Sequence, residues 1–180
     1  MQVLTPLQLF RNRPGGAASR GFTAIELMVV VAIVAVLAAL AAPSFTPLIE
    51  RWRVRDAAEN LTSTLYYARS EAIKRGGGIA IDASGGWGQG WKVTHTQGAI
   101  TTDLRASSAP TKVTMTQSNS KTIIYIDRWG MISEASGGAP AAMNFPLYPA
   151  GKTATDANAI RLCVAGGGRI MQMKQGAACP

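Results

Sequence analysis

Along the first quarter of the chain, apolar positions run together without alternating. Residues 22–42 carry a single charge, Glu26, and a single hydroxyl, Thr23. Wound as a helix at about 1.5 Å per residue, the run is roughly 32 Å long and matches a bilayer hydrocarbon core of about 30 Å. The pattern changes beyond Pro43 and Pro47. Val54, Ala58, Leu61, Leu65, Ala68 and Ala72 recur at spacings of four and three, while Arg53, Asp56, Asn60, Ser63, Tyr67, Ser70 and Lys74 fall on the other side. This predicts an amphipathic helix with one face to cover. Its end is marked by Glu71 four residues before Arg75, by Lys74 and Arg75 at the negative end of the helix dipole, and by Gly76-Gly77-Gly78 as a left-handed cap. Pro43 removes a backbone hydrogen bond and crowds the preceding turn, so it predicts a kink within one long helix; a plain stop there is the alternative.

Past the glycines the chain reads as strands. Residues 79–82, 90–95, 112–116, 122–127, 143–147, 159–164 and 169–173 are short and rich in β-branched and aromatic side chains. Turns are expected at 84–86, 118–120, 128–130 and 166–168, and loosely ordered segments at 134–142 and 148–157. The economical arrangement is α+β, an antiparallel sheet packed on the amphipathic half of the helix. The organisation is therefore a leader over 1–21, an apolar transmembrane helix over 22–43, its amphipathic half over 44–76, and a β-rich head over 77–180.

The 180 residues carry a net charge of +8, which falls to +5 once Arg11, Arg13 and Arg20 of the leader are set aside. That balance permits anionic partners without requiring them. The leader arginines favour a cytoplasmic leader and a head across the membrane, against the opposing cluster Arg51, Arg53 and Arg55. A cleavable secretory signal ends in a small-residue site behind a shorter apolar core; here the good junction stands ahead of the apolar run, so the segment is expected to stay attached. Glu26 is the chemical oddity. A carboxylate among hydrocarbon tails costs on the order of 2.5 kcal/mol or more, so it calls for a positive partner. Cutting after Gly21 would supply one, the freed amine of Phe22. An acid merely tolerated near the headgroups is the plainer alternative.

Gly21-Phe22-Thr23-Ala24-Ile25-Glu26-Leu27 ahead of an apolar run resembles the start of a type IV prepilin. Further on, Ala57-Ala58-Glu59-Asn60-Leu61 and Tyr67-Ala68-Arg69-Ser70-Glu71-Ala72-Ile73-Lys74-Arg75-Gly76 are similar to the GspH/FimT family of minor pilins and pseudopilins. Trp87-Gly88-Gln89-Gly90-Trp91, the stretch Ile123-Ile124-Tyr125-Ile126 leading to Gly130, and Gly168-Arg169 before a terminal Cys extend the likeness. The leader of 21 residues is longer than is usual before such a junction. The resemblance implies a pilin-like fold, cleavage after Gly21 by a membrane aspartyl prepilin peptidase, and methylation of the Phe22 amine. It also implies that Glu26 neutralises the amine of a neighbouring subunit while apolar helices pack together, since an unpaired buried charge costs about 3 to 5 kcal/mol. Glu26 and Pro43 are thus the assembly candidates. The expected partners are the peptidase, other pilins or pseudopilins and the inner membrane, with the head in the periplasm. A FimT-like subunit for type IV pilus assembly leads, and a GspH-like pseudopilin of type II secretion is the alternative.

Cys163 and Cys179 are the only cysteines. In a head outside the cytoplasm they are expected to form a disulfide, worth about 3 kcal/mol in the chain-entropy model; free thiols or a metal pair are the alternatives. Arg161, Arg169 and Lys174 lie near them. Some FimT-like members bind DNA through basic residues after a Gly-Arg pair, and Gly168-Arg169 matches that pair, although Met171 and Met173 stand where further cations would strengthen it. A solvated basic face is the competing reading. No enzyme is expected and no cofactor or metal: His95 is the single histidine, and residues 86–90 and 166–169 lack the spacing of nucleotide-binding loops. Trp87 and Trp91 are expected to cap the core, with a base-stacking platform as the alternative.

Overall fold

The computed structural model describes residues 21–41, 45–174 and 177–180, so the leader over 1–20 and the predicted kink at Pro43 lie outside the described residues. The chain divides into two units, residues 1–42 and 43–180. In the first, α1 (Ala24–Ala41) opens on Thr23, whose hydroxyl accepts the N–H of Glu26 at 3.2 Å. This hydroxyl satisfies one of the donors that every helix start leaves unpaired. The apolar side chains of α1 are exposed all round, as expected of a helix without a polar face. At 18 residues it is about 27 Å long, and among the described residues no helix is long and apolar enough to cross a membrane. The expected transmembrane helix over 22–43 extends past Ala41, the described end of α1.

The second unit is built on α2 (Thr46–Arg75), 30 residues long. Its predicted stripe, Val54, Ala58, Leu61, Leu65, Ala68 and Ala72, is completely buried. The helix stops because Gly76 adopts φ 77°, and the N–H groups of Gly76 and Gly77 both reach the Ala72 carbonyl.

Where one sheet was expected, two antiparallel sheets receive the stripe. The first contains β1 (Ile79–Asp82), β2 (Gly90–Gln97), β3 (Ile100–Ser108), β5 (Ile123–Ile126) and β6 (Ile132–Ser133), in the order β3-β2-β1-β5-β6. The second contains β4 (Val113–Met115), β7 (Met143–Pro149), β8 (Ile160–Val164) and β9 (Ile170–Lys174), in the order β4-β7-β8-β9. β4 pairs with β7 rather than with its neighbour in sequence, a choice that local alternation does not encode. β3 was not foreseen. It is an edge strand with little buried surface, so it lacks the inward apolar residues by which strands are recognised. Two consecutive buried residues on β2, Val93 and Thr94, mark a register shift against β3.

Aromatic residues join the layers. Trp87, between β1 and β2, meets Phe145 of β7 edge-on at 4.7 Å and donates its indole N–H to the Lys121 carbonyl at 2.7 Å. Trp91 donates to the Thr64 hydroxyl at 3.1 Å, and that hydroxyl donates in turn to the Asn60 carbonyl at 2.9 Å. Both tryptophans are therefore core residues with satisfied polar tips, unavailable for stacking on bases. Truncating the ring that bridges the sheets, Phe145→Ala, is expected to cost about 3 to 5 kcal/mol, read as a lowered urea midpoint.

Candidate functional site

A polar constellation in the head is centred on Arg69. It lies between buried Ala68 and half-exposed surface on α2, and its guanidinium reaches outward to two turns. Nε donates to the Gly130 carbonyl at 2.8 Å, in the turn between β5 and β6; Nη1 donates to the Gly168 carbonyl at 2.9 Å and Nη2 to the Gly167 carbonyl at 3.3 Å, between β8 and β9. One planar fork thus ties the helix to both sheets, a geometry that a lysine cannot copy. The turns also meet directly, through the N–H of Ile132 and the Gly166 carbonyl at 2.8 Å. Gly168 has φ 82°, and a Cβ there would overlap the Arg69 guanidinium, so glycine is required twice over. Sequence reasoning quoted Arg69, Gly130 and Gly168 as separate features and assigned them no common task. The available signal was an arginine beside an apolar-stripe alanine, Ala68, with glycine turns to receive it.

Two residues further along α2, Glu71 is buried and accepts from Arg75 Nε at 2.7 Å and Lys74 Nζ at 3.1 Å. The Arg75 and then the Lys74 hydrogen bond hold its carboxyl below the ordinary value of 4.5. The predicted four-residue pair is therefore half of a three-residue cluster closing the helix.

The expected processing and assembly residues lie in the first unit. Gly21 and Phe22 precede α1 and are exposed, and Glu26 sits in the first turn without an ion pair among the described residues. At the far end, Cys163 on β8 and Cys179 are joined as a disulfide with Cα atoms 5.6 Å apart. The three cations expected to act together are divided. Register pairs Arg161 with Met173 and Cys163 with Met171, placing these side chains on the outer face with the disulfide. Arg169 is exposed beside Met171 on that face, and Arg161 donates to the Ala177 carbonyl at 3.1 Å, holding the tail down. Lys174 pairs with Ile160 and so points to the opposite side, where it lines a groove beside α2. His95 is half-buried on β2, and among the described residues no three His, Cys, Asp or Glu side chains converge.

A helix laid on antiparallel sheets, with a separate apolar helix opening Gly-Phe-Thr and carrying Glu26, defines a type IV pilin-like protein. The description "Type II transport protein GspH" matches residues 57–173, and "Prokaryotic N-terminal methylation motif" matches residues 16–42. The chain belongs to the GspH family. It is similar to the type IV minor pilin FimU of Pseudomonas aeruginosa, with 26% identity and a TM-score of 0.60 over 74% of this chain and 97% of that one. A second crystal form of FimU gives 0.56 at the same 26% identity, over 69% and 96%. The minor pseudopilin EpsH of the Vibrio cholerae type 2 secretion system shares the fold at 10% identity, with a TM-score of 0.50 over 69% of this chain and 99% of its own. No curated sequence matches the chain.

Removing the fork should uncouple the layers. Arg69→Ala strands three carbonyls and is expected to lower stability by about 2 to 4 kcal/mol, with Arg69→Lys recovering little of it, both read from urea unfolding. Glu71 contributes as an anion whose folded pKa is depressed. Its contribution is present in full above pH 4.5 and lost as pH falls through the lowered value. The acid limb of a plot of unfolding midpoint against pH should accordingly flatten in Glu71→Gln.

Proposed function

We propose that this chain is a minor subunit of a type IV pilus. It is made as a precursor, cut after Gly21 by a membrane prepilin peptidase, methylated on Phe22, and held in the inner membrane by residues 22–42 with its head in the periplasm. One combination carries the reading: a methylation motif over residues 16–42 on the same chain as a head that resembles a pilus component along nearly that component's whole length. The pilus is favoured over secretion because identity to FimU is 26%, against 10% for EpsH.

Assembly follows from charge. The carboxylate of Glu26 is unpaired within its own chain among the described residues, and its own backbone N–H is capped by the Thr23 hydroxyl. A methylated amine on the Phe22 of an adjoining subunit would neutralise it. Packing the apolar helices then brings the two charges out of water together and penalises any register that leaves either alone.

DNA capture through the tail is a second reading, favoured by the exposure of Arg169 at the turn between β8 and β9. A salt-sensitive mobility shift should then weaken in Arg169→Ala and persist in Lys174→Ala, whose side chain belongs to the other face.

Mass spectrometry of the membrane-extracted protein should find N-methylated Phe22 as its first residue, and the whole leader in cells without the peptidase. An intact leader in both refutes processing. Glu26→Gln should be cleaved normally yet be missing from sheared pili. Pili that persist on deletion, with exported proteins retained inside, would instead assign the chain to secretion.

A further inference from the structure

Between the first half of α2 and the edge formed by β8 and β9 lies a groove of about 400 Å³ whose lining includes Leu48, Arg51, Trp52, Arg55, Ile160 and Lys174. Its size suits a small headgroup. Arg55 is paired with Glu59 at 2.8 Å, but among the described residues the side chains of Arg51 and Lys174 form no ion pair or hydrogen bond. Among the described residues no carboxylate lines the groove. Two cations are thus held beside it without a counter-charge.

A second observation comes from the helix surface. Phe45, Leu48, Ile49 and Trp52 follow one another at steps of three, one and three, which puts them on one helical face, and all are exposed, Trp52 to 66%. This stripe is separate from the core face that begins at Val54. Arg51 and Arg55 border it on the groove side and Arg53 on the other. Aromatic and aliphatic side chains flanked by arginines are the pattern of a helix lying at a membrane interface. Nucleic acid would account for the cations but leave Phe45, Leu48 and Ile49 without a partner. In sequence, the stripe follows the apolar run closely, since α2 starts five residues after α1 ends.

We infer that the groove and stripe seat the phosphate-bearing headgroup of an anionic phospholipid in the leaflet facing the head. Arg51 and Lys174 meet the phosphate, while Leu48 and Trp52 lie against the glycerol and upper acyl carbons. The inference rests on the reading of residues 22–42 as a membrane anchor. It goes beyond that reading by assigning the first turns of α2 a lipid preference, which would fix the height and tilt of the head before assembly.

Native mass spectrometry of the full processed chain tests it, with release from neutral detergent micelles doped with equal phosphatidylglycerol and phosphatidylcholine. Phosphatidylglycerol adducts should predominate. The double variant Arg51→Gln, Lys174→Gln should lose about thirtyfold in that preference, roughly fivefold per cation, while Arg169→Gln on the other face leaves it unchanged. Equal retention of the two lipids overturns the inference, as does displacement by free glycerol 3-phosphate at matching concentration, which would make the site one for soluble phosphate. Preferential capture of a single-stranded oligonucleotide overturns it too. The N-terminal mass is read on the same sample. A chain that is processed and enters pili but shows no lipid preference therefore sinks this inference alone, whereas an unprocessed chain sinks the anchor reading.

Discussion

The head depends on the fork of Arg69. Its three donors end on carbonyls of two turns that belong to different sheets, so the helix, the first sheet and the second sheet are indexed to one another by a single side chain. Hydrophobic burial is non-directional and would tolerate small slides of α2 over the two sheets. Charged hydrogen bonds of fixed geometry do not tolerate them. The fork converts a greasy contact into a defined relative position, and the glycine at 168 exists to let it approach.

The same logic of local fixation recurs at the C-terminal end of α2 and at the tail. Glu71, Lys74 and Arg75 close the helix just before its glycine stop, and the Cys163–Cys179 bridge with Arg161 on Ala177 holds the tail on the outer face of the second sheet. At the other end the surface is left unsatisfied. Arg51, Trp52 and Lys174 line an open groove, and among the described residues the stripe from Phe45 to Trp52 is exposed. The contrast separates a buried interior from an exposed apolar neck.

The division into two units has a parallel in chemistry. In α1 the side chains offer no periodic polar face, so only a hydrocarbon or other apolar helices can cover them all at once. From Val54 onward the apolar side of α2 is taken by two sheets, and its polar side faces out. One chain thus joins a segment that cannot satisfy itself to a head that can, and Glu26 is the only charge on the former.

Much of this was legible in the residues. The spacing of Val54, Ala58, Leu61, Leu65, Ala68 and Ala72 determined which face of α2 is buried, Gly76 determined where it ends, and the seven predicted strands all exist, because these features follow from local backbone and burial preferences. The edge strand β3 was illegible because it buries almost nothing, and the second sheet because the pairing of β4 with β7 is a long-range choice. Tertiary structure alone decided that Arg69, Gly130 and Gly168 meet across sequence separations of 61 and 99 residues. It alone assigned Lys174 to the groove side and Met171 and Met173 to the disulfide side, because only the register with β8 says which face of the strand is which.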